Sequence, residues 1–262
     1  MIDGIAFAER PGDGPALVML HGIGSNAASW APVMAFLPAD WRLIAWNAPG
    51  YGDSRPLAGD WPKANDYAEA LLKLVDGLGV GRFVLAGHSL GALIAASFAV
   101  SHRQRVARLV LAAPALGHGV HPSGALSDKA QARIDDLERL GPDDFANARA
   151  AALVHAPHDN PAIVADVREA MAQVCMPGYG QAVRMLASAR LLEDVGQLAV
   201  PTDIITGAQD RITPPDGARE AHDCLASDCR GVLVEVPLCG HAVTQQAPEA
   251  VAGLLMRAAV PA

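Results

Sequence analysis

The sequence has few aromatic residues and no long apolar run. Only 5% of its 262 residues are aromatic, whereas 51% are hydrophobic, many of them alanine. No stretch of eighteen consecutive apolar residues occurs, so the sequence predicts no transmembrane helix and no insertion into a membrane. The first residues lack the basic and apolar segments of a secretory signal, and we therefore expect a cytoplasmic location.

A basic surface and a metal-binding cysteine pattern are also missing. The formal net charge is −8, and the lysine and arginine residues do not cluster, which argues against binding to nucleic acid. The cysteines show neither C-x-x-C spacing nor companion histidines at zinc-finger distance, so we expect no metal and no other cofactor. We expect reduced thiols, although the short separation of Cys224 and Cys229 leaves a disulfide between them as an alternative.

Short apolar runs alternate with amphipathic segments along most of the chain. The expected strands are 5–10, 16–20, 42–46, 83–86, 107–113, 202–207 and 231–236. The expected helices outside the middle of the chain are 27–37, 65–78, the segment after residue 91, 215–225 and 246–259. This alternation predicts βαβ units, and the fully apolar strands are typical of a sheet covered on both faces. The fold class is therefore α/β, with a mostly parallel, doubly wound sheet flanked by helices.

The alternation stops between residues 116 and 192, where only helical patterns occur. These patterns cover 126–140, 143–154, 162–175 and 180–192. We interpret residues 116–192 as a helical cap inserted into a core made of residues 1–115 and 193–262. A cap in this position would roof a pocket and exclude water from it.

The most informative stretch is Gly87-His88-Ser89-Leu90-Gly91, which lies between an apolar strand and an apolar helix. A G-x-S-x-G turn of this kind needs both glycines because the chain passes too close to itself for a Cβ atom. The turn presents the Ser89 hydroxyl at the top of the sheet, with a helix N-terminus behind it. The Leu90 N–H then faces any negative charge that develops at Ser89.

A serine nucleophile needs a base, and the base needs an orienting carboxylate. Asp210 and His241 each follow an expected strand, and in doubly wound sheets such positions form the ligand-binding edge. The order Ser89, Asp210, His241 is that of the nucleophile-elbow enzymes. His222 is the competing base, but it lies within a helical pattern. The competing acids, which we interpret as a strand start and helix surface, are Asp203, Asp216 and Asp223.

Five segments together resemble the capped group of the α/β-hydrolase fold superfamily. They are His21-Gly22-Ile23-Gly24, residues 47–54, residues 87–91, residues 207–210 with Thr213-Pro214, and Cys239-Gly240-His241. One departure is Asn47, where the family usually has aspartate at a structural position. The resemblance implies Ser89 as the nucleophile, His241 as base and acid, and Asp210 as the residue that orients it. It also implies that the backbone N–H groups of Ile23 and Leu90 form the oxyanion hole.

Residues 177–202 resemble the corresponding passage of 3-oxoadipate enol-lactonases and related small carboxylesterases. Our leading hypothesis is therefore hydrolysis of a small carboxylic ester or lactone, with an enol-lactone of aromatic-acid breakdown as one candidate. The alternatives are a C–C bond hydrolase of meta-cleavage products and a ligand-sensing or partner-binding protein on the same fold. The expected partner is a small-molecule substrate, and the expected state is a monomer or a small homo-oligomer.

The cap residues that would line the pocket are harder to choose from sequence. We expect an apolar wall that includes Met176, Tyr179 and Met185, with Met171, Val174 and Leu186 as further candidates. Three arginines could reach a substrate carboxylate, although solvated helix faces explain them more simply: Arg149, Arg184 and Arg190.

Overall fold

The computed structural model describes residues 1–259, in which seven strands form a single sheet. The strands are β1 (Phe7–Arg10), β2 (Ala16–Leu20), β3 (Arg42–Trp46), β4 (Phe83–His88), β5 (Val106–Ala112), β6 (Thr202–Gly207) and β7 (Arg230–Val236). Their order across the sheet is β1-β3-β2-β4-β5-β6-β7. The edge strand β1 pairs antiparallel with β3, and the other neighbours pair in parallel. The predicted α/β architecture is confirmed.

Helices connect these strands and cover both faces of the sheet. They are α1 (Ala31–Met34), α2 (Ala64–Gly77), α3 (Leu90–Ser101), α4 (Asp128–Arg149), α5 (Pro161–Met171), α6 (Gly178–Ser188), α7 (Leu191–Val195), α8 (Pro215–Cys224), α9 (Val243–Gln246) and α10 (Pro248–Ala259). The expected helix at 27–37 is shorter than its pattern suggests, because its first turn, Ala27–Trp30, is a 3₁₀ helix.

Two hydrophobic clusters, one on each face, hold the sheet between its helices. Strand β2 shows the division clearly, because Val18 and Leu20 belong to one cluster while Leu17 and Met19 belong to the other. This is the two-residue side-chain period of a strand that is buried on both faces. Nearly every β2 and β4 residue is buried, which explains why their sequences are uniformly apolar rather than alternating.

The turn between β4 and α3 brings backbone segments into direct contact at the site. A Cβ atom on Gly87 would lie 2.3 Å from the Gly91 carbonyl oxygen, and one on Gly91 would lie 2.4 Å from the Leu20 carbonyl oxygen. Real Cβ atoms do not approach other atoms so closely, so neither position accepts a side chain. Helix α3 therefore begins directly against the end of β2.

Helices α4 to α7 occupy the chain between β5 and β6. Helix α4 is broken at Gly141, whose φ is 74°, immediately before Pro142. Proline removes a helical N–H and disfavours helical geometry in the residue before it. The two helices predicted at 126–140 and 143–154 are thus separated by this break, which lies within α4. The division of the chain into a core and a cap at residues 116 and 192 stays a prediction.

Helix α6 is attached to the loop that follows β3. The Cα atom of Gly50 lies 2.6 Å from the position that a Cβ on Gly178 would take, so the two backbones touch. One turn further along α6, the buried Gln181 amide donates to the carbonyl oxygens of Leu57 and Gly59, at 2.7 Å each. These contacts hold α6 over the carboxyl-terminal edge of the sheet.

We searched residues 1–259 of the structure for membrane-spanning helices, metal-binding clusters and disulfide bonds. In that range no helix has both the length and the apolarity needed to cross a bilayer. The same range contains no cluster of three or more histidine, cysteine, aspartate or glutamate side chains arranged to hold a metal ion. The thiols of Cys224 and Cys229 are free.

We expect Gly91→Ala to destabilise the protein, because the new Cβ would meet the Leu20 carbonyl oxygen. The expected loss is about 1–3 kcal/mol or more in the free energy of unfolding, measured by chemical denaturation. Gly253→Ala is the matched control, since a Cβ at that position in α10 meets nothing within 4 Å. The control should be neutral or stabilising. Equal effects of the two substitutions would contradict the close packing described for the turn.

Candidate active site

Ser89 lies at the tip of the turn between β4 and α3, in a strained backbone conformation. Its φ is 54° and its ψ is −110°, a combination that non-glycine residues rarely adopt. The turn is held from both sides, because the Ser89 N–H donates to the Ala112 carbonyl at 2.9 Å and the Ala115 N–H donates to the Ser89 carbonyl at 3.3 Å. The hydroxyl does not cap α3 and lines a large cavity.

Asp210 and His241 are brought together from the loops after β6 and β7. His241 Nδ1 lies 2.8 Å from Asp210 Oδ2, and both side chains are almost completely buried. The other carboxylate oxygen accepts the backbone N–H groups of Ile212, at 2.8 Å, and Thr213, at 3.0 Å. With Nδ1 bonded to the carboxylate, the Nε2 atom of neutral His241 is left as a proton acceptor.

These bonds keep Asp210 ionised. Burial by itself raises the pKa of Asp210, but the hydrogen bonds from His241 and from the two backbone N–H groups outweigh it. The pKa is therefore held below the ordinary value of 3.8. An ionised carboxylate beside Nδ1 favours the tautomer that leaves Nε2 free and stabilises the imidazolium once a proton arrives.

The Thr213 hydroxyl lies between the acid and the histidine. Its Oγ1 is 2.8 Å from Asp210 Oδ2, 3.1 Å from His241 Nδ1 and 3.1 Å from the Ala113 carbonyl oxygen. A hydroxyl has one proton, so it donates to one of the two oxygens and can accept from the His241 N–H. Thr213 thus ties the acid and histidine to the end of β5, next to Ser89. Sequence reasoning quoted Thr213 within a motif without assigning it this contact.

His88 holds the backbone of His241 in place. Its Nε2–H donates to the His241 carbonyl oxygen at 2.9 Å, and the two ring centroids are 5.0 Å apart. Burial, and then the neighbouring His241, lower the pKa of His88 to about 3, so this ring is neutral at ordinary pH. Within residues 1–259 the side-chain hydrogen bonds of His241 involve Nδ1, and its Nε2 is free to face a reacting group.

His21 fixes the loop that contains Ile23. Its Nε2 accepts the Ala48 N–H at 3.0 Å, and its Nδ1–H donates to the Gly22 carbonyl at 2.8 Å. Burial lowers the pKa of His21 to about 4, which keeps the ring neutral and suited to both bonds. Among the described residues, the backbone N–H groups of Ile23 and Leu90 have no hydrogen-bond partner. Both are therefore available to a negatively charged oxygen.

A cavity of about 610 Å³ opens from Ser89. Apolar side chains of the loop after β5, of α6 and of the loop before α8 form most of its wall: Pro114, Ala115, Leu116, Val183, Leu186, Ile212 and Pro214. Charged and polar side chains of α4, α8 and the adjoining loop lie around the rest: His118, Ser127, Lys129, Arg133, Asp216 and Glu220.

The three pocket residues expected from sequence do not line this cavity. Tyr179 and Met185 are buried against the core, and the Tyr179 ring packs edge-on against Phe145 with centroids 5.3 Å apart. Met176 lies at the surface, 36% exposed. Helix α6 reaches the cavity through Leu186, which was among the further candidates, and through Val183, which was not.

The competing residues are engaged elsewhere. His222 is bonded through Nε2 to the Gly231 carbonyl oxygen at 3.0 Å, and Asp203 is paired with Arg108 at 2.6 Å. Cys239, two residues before His241, is buried, and burial together with the charge of Asp210 raises the pKa of its thiol to about 12.

Comparison with known proteins agrees with this geometry. Residues 15–245 match the model of the alpha/beta hydrolase fold family. The chain belongs to that family. This finding confirms the resemblance drawn from the five sequence segments, and the family and its relatives support a hydrolase.

Three proteins of known type are similar to this chain over most of its length. A monoacylglycerol lipase of Xenopus laevis is 26% identical over 94% of this chain and 75% of its own length. A pimeloyl-[acyl-carrier protein] methyl ester esterase of Nitrosomonas europaea is 29% identical over 92% and 94%. The solved enol-lactonase of Burkholderia xenovorans LB400 superposes with a TM-score of 0.85 at 22% identity, over 98% and 97% of the two chains. At that identity the last comparison shows a shared fold.

The lowered pKa of Asp210 predicts how acid affects stability. Because the folded protein holds this proton more weakly than the unfolded chain, Asp210 contributes stability above pH 3.8 and loses it as the pH falls through its folded pKa. In denaturation curves measured from pH 6 to pH 2, about the range of carboxyl titration, the wild type should lose more stability than Asp210→Asn. Parallel curves for the two proteins would contradict the pKa shift.

Proposed function

We propose that this chain hydrolyses a small carboxylic ester or lactone through an acyl-enzyme intermediate on Ser89. The observation that supports it is the bonded pair Asp210–His241, which Thr213 connects to the Ala113 carbonyl. The preceding residue, Ala112, accepts the Ser89 N–H, so the pair and the strained serine turn are fixed to the same end of β5. A largely apolar cavity opens from the same serine. Serine, histidine and aspartate with two unused backbone N–H groups are the groups that acyl transfer requires.

The first half of the reaction would form the acyl-enzyme. Ser89 Oγ attacks the carbonyl carbon while its proton passes to His241 Nε2, and Asp210 stabilises the imidazolium that results. The oxyanion of the tetrahedral intermediate accepts the N–H groups of Ile23 and Leu90, each worth roughly 10²–10³ in rate. The intermediate then collapses, and His241 gives its proton to the departing alkoxide.

The second half would release the acid. A water molecule loses its proton to His241 and attacks the acyl carbon, and the same two N–H groups stabilise the second oxyanion. His241 then returns the proton to Ser89 Oγ, and the carboxylic acid departs. With a lactone, the alcohol freed in the first half stays attached to the acyl chain, so one hydroxy acid or keto acid is the product.

The cavity favours a small substrate. Its volume of about 610 Å³ lies within the usual range for small-molecule sites. An enol-lactone of aromatic-acid breakdown is one candidate, supported by the resemblance of residues 177–202 to the enol-lactonases. We propose a small molecule as the partner and the cytoplasm as the location of the reaction.

The decisive experiment combines labelling with turnover. A serine-reactive fluorophosphonate should label the wild type at Ser89, identified by mass spectrometry of the peptides, and should not label Ser89→Ala. Short 4-nitrophenyl esters and small lactones should be hydrolysed by the wild type, while Ser89→Ala loses activity to background. Activity of Ser89→Ala at a comparable kcat would refute the mechanism. Labelling without turnover would favour a binding protein, and turnover of a vinylogous 1,5-diketone alone would favour a C–C hydrolase.

Thr213 should act as a positioning residue for His241 and Asp210. Thr213→Val removes the hydroxyl but keeps the shape, and we expect kcat for a short ester to fall about 10-fold, the loss of roughly one hydrogen bond to a charged group. Thr213→Ser keeps the hydroxyl and should retain most of the activity. A purely structural role would lower stability in both variants without separating their kcat values, so thermal unfolding is measured alongside.

A further inference from the structure

Arg133 lies on the wall of the catalytic cavity, and sequence reasoning did not single it out. It projects from α4, is partly buried, and shares the cavity with Ser89. The three arginines that sequence suggested for a substrate carboxylate are absent from the lining. Arg149 is bound to Asp136 at 2.7 Å and Arg190 to Glu193 at 3.1 Å.

The guanidinium of Arg133 has no carboxylate partner among the described residues, unlike its neighbours on α4. Arg139 and Arg149 both bind Asp136. Arg133 instead contacts the phenol of Tyr179. Burial raises the pKa of that phenol, and the positive charge of Arg133 together with a side-chain hydrogen bond from its guanidinium opposes the rise. A guanidinium has five N–H donors in a planar fork, so most of them remain available to a ligand in the cavity.

The other charged groups on the wall do not cancel this cation. Lys129 lies one helical turn before Arg133 on the same face of α4 and is exposed. Across the cavity, Asp216 is already bound to Arg219, and Glu220 is exposed. Exposed charges are screened by water and salt, whereas a partly buried one is screened much less. Of the charged side chains that line the cavity, Arg133 is therefore the one whose interaction with a ligand is screened least.

We propose that Arg133 selects esters and lactones that carry a carboxylate at the end remote from the bond that is broken. The carboxylate would accept two parallel N–H bonds from the guanidinium, a geometry that arginine provides and lysine does not. The apolar walls between Arg133 and Ser89 would hold the connecting carbon chain. This proposal rests on the ester hydrolysis proposed above and adds the substrate class to it.

The test compares two substrates of the same shape. Monomethyl glutarate ends in a carboxylate, and methyl 5-methylhexanoate ends in a neutral isopropyl group of similar size. We expect Arg133→Gln to lower the ratio of kcat/KM for the anionic ester to that for the neutral ester on the order of 10- to 100-fold. Most of the change should be in KM for the anionic ester, because the contact exists before the chemical step. Arg133→Lys should give an intermediate ratio.

Arg184→Gln is the matched control. Arg184 is also a partly buried arginine on a helix near the site, and it lies outside the cavity lining. The same change of charge there should leave the ratio within about twofold of wild type. A ratio that is unchanged in Arg133→Gln, or that falls equally in Arg184→Gln, would overturn the proposal.

A binding measurement separates this proposal from the proposed reaction. In Ser89→Ala protein, monomethyl glutarate titrated in a calorimeter should bind at least tenfold more tightly than in Ser89→Ala/Arg133→Gln protein. That difference would support the carboxylate site even if the wild type hydrolyses neither ester, in which case the proposed reaction alone fails. Equal binding to the two proteins refutes the carboxylate site whatever the outcome for catalysis.

Discussion

The backbone contact between Gly91 and Leu20 determines where the catalytic groups can lie. Because no side chain separates them, α3 begins at the end of β2, and the loop that follows β2 starts beside the first turn of α3. The Ile23 N–H of that loop and the Leu90 N–H at the start of α3 are thereby brought to the same place as Ser89, and neither has a hydrogen-bond partner among residues 1–259. The strain stored at Ser89 is sustained by the hydrogen bonds to the end of β5 and by the burial of almost the whole of α3.

Around this serine, burial and hydrogen bonding together determine which side chains are charged. His21 and His88 are neutral because their surroundings exclude water. His21 binds backbone groups through both ring nitrogens and His88 through Nε2, so both rings position the backbone rather than exchange protons. Asp210 remains ionised because three N–H donors, from the His241 ring and from the Ile212 and Thr213 backbone, converge on its two oxygens. His241 is the histidine that contacts this carboxylate, which distinguishes it from the two neighbouring histidines as a proton carrier.

The sequence predicts the strands well and the cavity poorly, for one physical reason. Strands such as β2, β3 and β6 begin and end where predicted, because a parallel sheet buries both faces of each strand and leaves an unbroken apolar run. The cap helices have no such marker. An apolar residue on α6 can face the core or the cavity, so Tyr179 and Met185 were indistinguishable from Val183 and Leu186. The position of Arg133 depends on how α4 packs, which periodicity does not report.

Cys239 shows how the same environment suppresses a second nucleophile close to His241. The thiolate is the reactive form of cysteine, and a pKa of about 12 leaves almost none of it at neutral pH. Alkylating reagents will therefore encounter the exposed Cys175 and Cys224 first. A fluorescent or spin label can thus be attached through cysteine at the surface of the protein while the serine and its neighbours keep their chemistry.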